Sequence, residues 1–143
     1  IVLRATHLMM KELLPFFKKQ KETRIAIITS MSAIRGYTVG GTHCAAKGAI
    51  DRYANSAMIG LYKENIFVST IRPGAIDTGL YDSKAVQDAI KTISDDYGGI
   101  WRKQITLGPP TQVGESVLLT LTAEAHISSI NLVAKGQFPN EGS

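Results

Sequence analysis

Three side chains of the sequence have types and spacing suited to acid–base chemistry. Ser30 follows a short apolar run, and His43 and Lys47 lie four residues apart in a segment with helical spacing. Positions i and i+4 share one face of a helix, so His43 and Lys47 are expected on the same side. An imidazole can act as a general acid or base near neutral pH when it reaches the reacting atom. The residue types therefore allow proton transfer at His43, with the ammonium group of Lys47 on the same helix face and the hydroxyl of Ser30 as a further polar group.

Each of the three residues also has an ordinary structural interpretation. A serine after a strand is commonly a turn residue. His43 can cap or line the start of a helix, and Lys47 can be a surface lysine. The residue types alone leave both interpretations open.

Apolar runs and helical repeats predict the elements that position these residues. Residues 24–29 (RIAIIT) and 65–71 (NIFVSTI) are short apolar runs typical of strands buried on both faces, and Pro73 is expected to end the second. Helices are predicted over 1–20, 42–62, 83–93 and 111–121, with Thr111 as an N-cap, and a third strand over 129–135. Alternating helices and strands indicate an α/β fold with a parallel sheet and right-handed crossovers.

Composition narrows the classes of protein and partner. The chain of 143 residues fits one domain, and its formal net charge of +4 comes from scattered basic residues. The densest basic run, residues 18–24, has no interleaved aromatic residues, so no nucleic-acid partner is expected. Charged residues interrupt the apolar N-terminal segment, which is unlike a signal peptide or a membrane span. We predict a cytoplasmic protein without a membrane partner.

No metal site is expected. The chain has a single cysteine, Cys44, which excludes an internal disulfide and a multi-cysteine zinc site. The three histidines His7, His43 and His126 lie far apart in the sequence, without acidic neighbours at the spacing of metal ligands.

The order and spacing of three segments resemble the short-chain dehydrogenase/reductase family. These segments are Ile28-Thr29-Ser30, His43-Cys44-Ala45-Ala46-Lys47 and Arg72-Pro73-Gly74-Ala75-Ile76-Asp77-Thr78. The resemblance covers nearly the whole chain and implies the C-terminal portion of a Rossmann-like doubly wound parallel sheet, about three strands with flanking helices. It implies a single partial domain over residues 1–143, with a catalytic segment over 1–78, a substrate loop over 79–110, and the last helix and strand over 111–143.

The resemblance also implies an activity and a cofactor. Family members are oxidoreductases that use NAD or NADP and act on a carbonyl or alcohol substrate. Carried over by position, Ser30 hydrogen-bonds the substrate oxygen, and Lys47 binds the nicotinamide ribose. The segment that lies along the nicotinamide is matched by Pro73, Gly74, Ile76 and Thr78.

One position departs from the family pattern. The family has a proton-transferring tyrosine four residues before the lysine, and this chain has His43 there. Because an imidazole is shorter than a phenol, we expect weak or absent carbonyl reduction. Tyr37 lies six residues before His43, and Tyr53 lies six residues after Lys47, so neither is in register with the family's tyrosine. Tyr37 is in a loop that could swing toward the cleft.

The nucleotide-binding features of the family are expected upstream of Ile1. No G-x-G-x-x-G pattern is present in the chain, and the residue that selects between NAD and NADP would accompany it. Residues 24–29 would then form an open apolar sheet edge. Two alternatives follow: a non-catalytic protein that dimerises through helices 1–20 and 42–62, or half of a split enzyme. The aromatic residues of the substrate loop, which could be pocket walls or part of a small core, are Tyr81, Tyr97 and Trp101.

Overall fold

The computed structural model describes residues 1–37, 39–96 and 106–135, with the side chains of residues 93–96 outside that description. Within this part of the chain, helices and strands alternate along the sequence. They are α1 (Val2–Phe17), β1 (Thr23–Ile28), α2 (Gly41–Leu61), β2 (Ile66–Pro73), α3 (Lys84–Asp96), α4 (Pro110–Thr122) and β3 (Ser129–Leu132). Short 3-10 helices span Met31–Ala33, Tyr62–Glu64 and Leu80–Asp82.

The three strands form a parallel sheet in the order β1-β2-β3. Ile25 pairs with Val68, and Thr70 pairs with Ser129. The predicted α/β class, with about three parallel strands and flanking helices, is confirmed. Among the described residues, β1 pairs only with β2, and Ile28 at its end is 48% exposed.

The centre of the sheet is the most buried part of the fold. Ile66 and Val68 of β2 pack with Met10 of α1 and Ala54 of α2 in one apolar cluster. Helix α4 contacts β1 and β2 as well. Because successive strand residues point to opposite faces, a run such as IFVSTI needs cover on both sides. Helices α1 and α2 supply this cover on one side of the sheet, and α4 supplies it on the other.

Strand β2 runs two residues further than predicted. Proline lacks an N–H, yet Pro73 is the last residue of β2 and pairs with Leu132. The backbone N–H groups of Thr70 and Gly74 donate toward β3. Because successive residues of a strand direct their N–H groups to opposite sides, the Pro73 nitrogen faces β1. It lies beyond Ile28, the last residue of β1 that pairs with β2. No ladder hydrogen bond is therefore lost there.

The predicted N-cap of the last helix is wrong. The N-cap is Pro109, and Pro110 is the first helical residue, so Thr111 lies inside the helix. Proline suits the first helical position because a backbone N–H there would have no partner within the helix, so its absence costs nothing. The fixed φ of proline is also close to the helical value.

The helices also bear on membrane association. In the described ranges, none of the helices is long and apolar enough to cross a membrane.

The burial pattern of α2 predicts which of two isoleucines stabilises the fold. Ile50 is 2% exposed and Ile59 is 76% exposed on the same helix. We expect Ile50→Ala to lower the free energy of unfolding by about 2–5 kcal/mol, since it removes buried methylenes and leaves a cavity. Ile59→Ala, the matched control, should change it by less than about 0.5 kcal/mol. Urea unfolding followed by circular dichroism measures both, and equal losses would contradict the packing described.

Candidate functional site

The carboxyl ends of β1 and β2 and the first turns of α2 surround one open cavity of about 410 Å³. In parallel α/β sheets, ligands bind at this edge. The cavity wall includes every residue predicted for the site, namely Ser30, His43, Lys47, Pro73, Gly74, Ile76 and Thr78. A second cavity of about 430 Å³ lies beside α4 and β3 and shares only Ile76 with the first.

Ser30 is held at the cavity wall by the turn that follows β1. Its backbone is extended, and its Oγ accepts a 3.1 Å hydrogen bond from the backbone N–H of Ser32. The hydroxyl oxygens of Ser30 and Ser32 are 2.6 Å apart. Ser30 Oγ also donates to the Pro73 carbonyl oxygen at 3.5 Å. Ser30 is therefore a turn residue and also part of the cavity wall.

His43 and Lys47 lie one turn apart at the start of α2, and both face the cavity. His43 is exposed and Lys47 is half-buried. The N-cap of α2 is Gly40, so His43 lines the start of the helix and does not cap it. A Cβ at Gly48, directly after Lys47, would lie 3.5 Å from the Ala33 carbonyl oxygen, so the helix packs against the turn after β1 at an ordinary contact distance.

A buried ion pair lies next to the cavity wall, and the sequence reasoning missed it. Arg72 Nε donates to Asp51 Oδ1 at 2.7 Å, and Arg72 Nη2 donates to Asp51 Oδ2 at 3.1 Å. The Asp51 side chain is fully buried, and that of Arg72 is 9% exposed. Thr29 Oγ1 donates to the same carboxylate at 3.3 Å, and Arg72 Nη1 donates to Asn131 Oδ1 of β3 at 3.2 Å. The pair thus joins α2 to the ends of all three strands.

The carboxyl of Asp51 is ionised in this setting. Burial alone would raise the pKa of Asp51, but the hydrogen bonds and positive charge of Arg72, helped by Arg52 and Thr29, outweigh it. The pKa of Asp51 therefore lies below its usual value of 3.8.

The ion pair borders each segment that carries a predicted site residue. Thr29 precedes Ser30, and Arg72 precedes Pro73. Asp51 lies one helical turn after Lys47. The sequence carries a signal for Asp51 but not for its partner, because His43, Lys47 and Asp51 recur every four residues on one helix face.

The segment after β2 is anchored by the chain that precedes α4. Gly108 N–H donates to the Ala75 carbonyl, and Asp77 N–H donates to the Gly108 carbonyl, each at 2.9 Å. A Cβ at Gly108 would lie 2.9 Å from Gln112 Oε1 and 3.2 Å from Ile76 Cδ1, so a larger residue there would have to displace the ends of these two side chains. These contacts hold Ile76 at the cavity wall.

Two tyrosines also line the cavity. Burial raises the pKa of the Tyr81 phenol above 10.0, and the nearby Tyr37 phenolate charge raises it further. Tyr81 therefore keeps its proton at neutral pH. Tyr53 lies elsewhere, with its hydroxyl 3.3 Å from His7 Nδ1 on the face shared by α1 and α2. Tyr97 and Trp101 lie outside the described residues.

The arrangement offers hydroxyl, imidazole, ammonium and phenol groups around one cavity. Across the described ranges, His, Cys, Asp and Glu side chains form no group of three that could hold a metal ion. The chemistry available from these side chains is proton transfer and orientation of a polar substrate atom.

Comparison with known proteins gives matches of sequence and of fold. The chain matches the short chain dehydrogenase family over residues 1–89. A 3-ketodihydrosphingosine reductase of Bacteroides thetaiotaomicron is 23% identical over 99 residues, which are 69% of this chain and 36% of that protein. Retinol dehydrogenase 8 of Homo sapiens is 30% identical over 70 residues, which are 49% of this chain and 22% of that protein. The chain spans about a third or less of the length of these relatives.

A solved structure shares the fold over nearly the whole chain. A 3-ketoacyl-(acyl-carrier-protein) reductase from Brucella melitensis, complexed with NADH, superposes with a TM-score of 0.74 at 20% identity. The match covers 96% of this chain and 55% of that one.

The ion pair predicts a large and pH-dependent effect of one substitution. We expect Asp51→Asn to lower the free energy of unfolding at pH 7 by about 3–5 kcal/mol, because it leaves the Arg72 charge buried and unpaired. A carboxyl whose pKa is lowered by folding stabilises the fold at pH values above its ordinary pKa of 3.8. That stabilisation is lost as the pH falls through the pKa of the folded state. The difference between wild type and Asp51→Asn should therefore shrink below about pH 3.8.

Urea unfolding between pH 7 and pH 3 tests this expectation. The matched control is Asp88→Asn, since Asp88 is exposed on α3. It should behave as wild type across the range. A difference for Asp51→Asn that stays constant with pH would contradict an ionised Asp51.

Proposed function

The chain belongs to the short chain dehydrogenase family, and from that premise we propose that the protein is an oxidoreductase that uses NAD or NADP and acts on a carbonyl or alcohol substrate. One observation carries the proposal: Ser30, Lys47 and the Pro73-Gly74 turn line a single cavity at the carboxyl ends of adjacent parallel strands. The names of the relatives, a ketone reductase and an alcohol dehydrogenase, agree with this chemistry.

Ser30 is proposed to orient the substrate oxygen. Its Oγ accepts a hydrogen bond from Ser32 N–H and lies 2.6 Å from Ser32 Oγ, which can donate to it as well; in that arrangement the Ser30 hydroxyl proton is left for a ligand. The 3.5 Å separation from the Pro73 carbonyl is at the long limit for an O–H···O bond. A substrate oxygen could replace that weak partner at small cost.

The nicotinamide end of the cofactor would lie against Lys47 and the segment after β2. The residues that would hold it are Lys47, Pro73, Gly74, Ile76 and Thr78. They fit the group, since the cavity volume is in the range of small-molecule sites and its wall combines a cation, an exposed hydroxyl and the apolar Ile76. A bound nicotinamide supplies or accepts the hydride.

Proton transfer is the weak point of the proposed site. His43 is exposed and occupies the position of the family's tyrosine, and its ring is shorter than a phenol. Carbonyl reduction needs a proton donor, and the raised pKa of Tyr81 makes its phenol a weaker donor than an ordinary tyrosine. We propose that the chain reduces carbonyl substrates slowly because of this substitution.

Coenzyme titration and one substitution test the proposal. NADH and NADPH fluorescence should each report whether a coenzyme binds saturably to the purified chain. His43→Tyr should raise the rate of carbonyl reduction about 100-fold or more, in the range of general acid–base catalysis. The matched control is Thr42→Tyr, at an exposed neighbouring position outside the cavity wall, which should leave the rate unchanged.

Two results would overturn the oxidoreductase proposal. One is the absence of saturable binding for both coenzymes. The other is a His43→Tyr variant that gains no activity while its circular dichroism matches wild type.

A second candidate function is association of two copies through α1 and α2. Helix α1 carries two apolar stripes, and Met10, Leu14 and Phe17 occupy the one that packs in the core. The other stripe is exposed to solvent: Met9 is 64% exposed and Phe16 is 63% exposed. Exposed apolar stripes commonly mark interfaces.

Light scattering tests the association of copies. We expect twice the monomer mass for wild type and the monomer mass for Met9→Glu, because a buried carboxylate at the interface is costly. Leu118→Glu on α4 introduces the same residue at a site of similar exposure, and it should leave the mass unchanged. A monomeric wild-type chain would contradict this candidate.

A further inference from the structure

We propose that the cavity binds a substrate whose carbonyl or hydroxyl group is carried on an apolar chain, with that chain lying against α3. This inference rests on the proposed oxidoreductase function and names its substrate class. It comes from the distribution of polar and apolar side chains around the cavity.

Helix α3 turns an apolar face to the cavity. Val86, Ala89 and Ile90 recur at three and four residues and line the cavity wall. Lys84, Asp88 and Lys91 are exposed. An amphipathic helix normally packs its apolar face on a sheet or a neighbouring helix. Among the described elements, α3 contacts mainly the short helix Leu80–Asp82, so this apolar face is left for the cavity.

Most polar and apolar groups of the cavity wall come from different elements. Met31, Val39 and Leu80 add apolar surface, and Val39 and Leu80 are exposed by 48% and 60%. Ser30 and Ser32 follow β1, and His43 and Lys47 lie in the first turns of α2, whereas Tyr81 is the one phenol in the short helix next to α3. A ligand with one polar end and an apolar body matches this division.

Charge and hydrogen bonding exclude other substrate classes. The described lining residues include Lys47 but no carboxylate, so a cationic substrate would meet its positive charge without compensation from them. A polyhydroxylated substrate such as a sugar would place hydroxyls against Val86 and Ile90, where they find no hydrogen-bond partner. An apolar chain has neither cost.

Chain-length dependence is the direct test. Isothermal titration of the full chain with 2-hexanone, 2-octanone and 2-decanone should show affinity rising up to about fourfold per methylene, equivalent to about 0.8 kcal/mol per buried CH₂. The polyol sorbitol serves as the probe of the excluded class and should not bind. Equal affinity along the ketone series, or tighter binding of sorbitol, would overturn the inference.

Matched variants on α3 locate the apolar chain. Ile90→Gln should reduce the affinity for 2-decanone about tenfold, whereas Lys91→Gln, the same substitution on the exposed face, should not change it. Val86→Thr, which nearly keeps the side-chain shape, is the second variant if Ile90→Gln fails to fold. Unchanged 2-decanone affinity in a folded Ile90→Gln or Val86→Thr chain would place the ligand elsewhere and overturn the inference.

Coenzyme titration of the same samples separates this inference from the proposed function. Ketone binding with the expected chain-length dependence but no coenzyme binding would support the ligand class and overturn the oxidoreductase function. Coenzyme binding with no chain-length dependence would support the function and overturn the ligand class.

Discussion

The structure depends on a buried pair of opposite charges at the carboxyl end of the sheet. Taking Asp51 and Arg72 out of water costs several kcal/mol for each ion, and their attraction offsets that cost only with good geometry and further hydrogen bonds. Both conditions hold, because the guanidinium meets the carboxylate through two nitrogens and Thr29 and Asn131 satisfy further positions. An arrangement this demanding tolerates little displacement of α2 relative to the three strands.

The geometry of the site follows from that constraint. In the chain, Thr29 and Arg72 are next to residues of the cavity wall, and Asp51 is one helical turn from Lys47, so Ser30, Lys47 and Pro73 have fixed relative positions. The opposite wall is built differently. Helix α3 rests mainly on a short neighbouring helix and contributes apolar side chains. The cavity therefore has one wall held by charge pairing and strand register, and another that, among the described elements, rests mainly on one short helix.

The sequence predicted the fold and the grouping of the site residues because both depend on local patterns. Isoleucine-rich runs identify parallel strands, and strand ends place Ser30 and Pro73 at one edge of the sheet. The Asp51–Arg72 pair was missed because its partners are 21 residues apart, and their contact depends on sheet register, which periodicity does not report. Thr111 was misplaced as an N-cap because the preference of Pro110 for the first helical position outweighed the usual preference for a capping threonine. The end of β2 was placed too early because the side to which the Pro73 nitrogen points depends on the same register.

Positioning and proton transfer depend on different residues of α2. Asp51 is fully buried, and its identity is dictated by Arg72, so a change there would disturb the fold. His43 lies two turns earlier on the same face, exposed at the mouth of the cavity, and packing places almost no restriction on its type. A fold of this kind can exchange the group at position 43 while Ser30 and Lys47 stay in place. Substitutions at position 43 are therefore expected to leave the stability of the fold nearly unchanged, so that the proposed effect of a histidine there on proton transfer can be measured separately from folding.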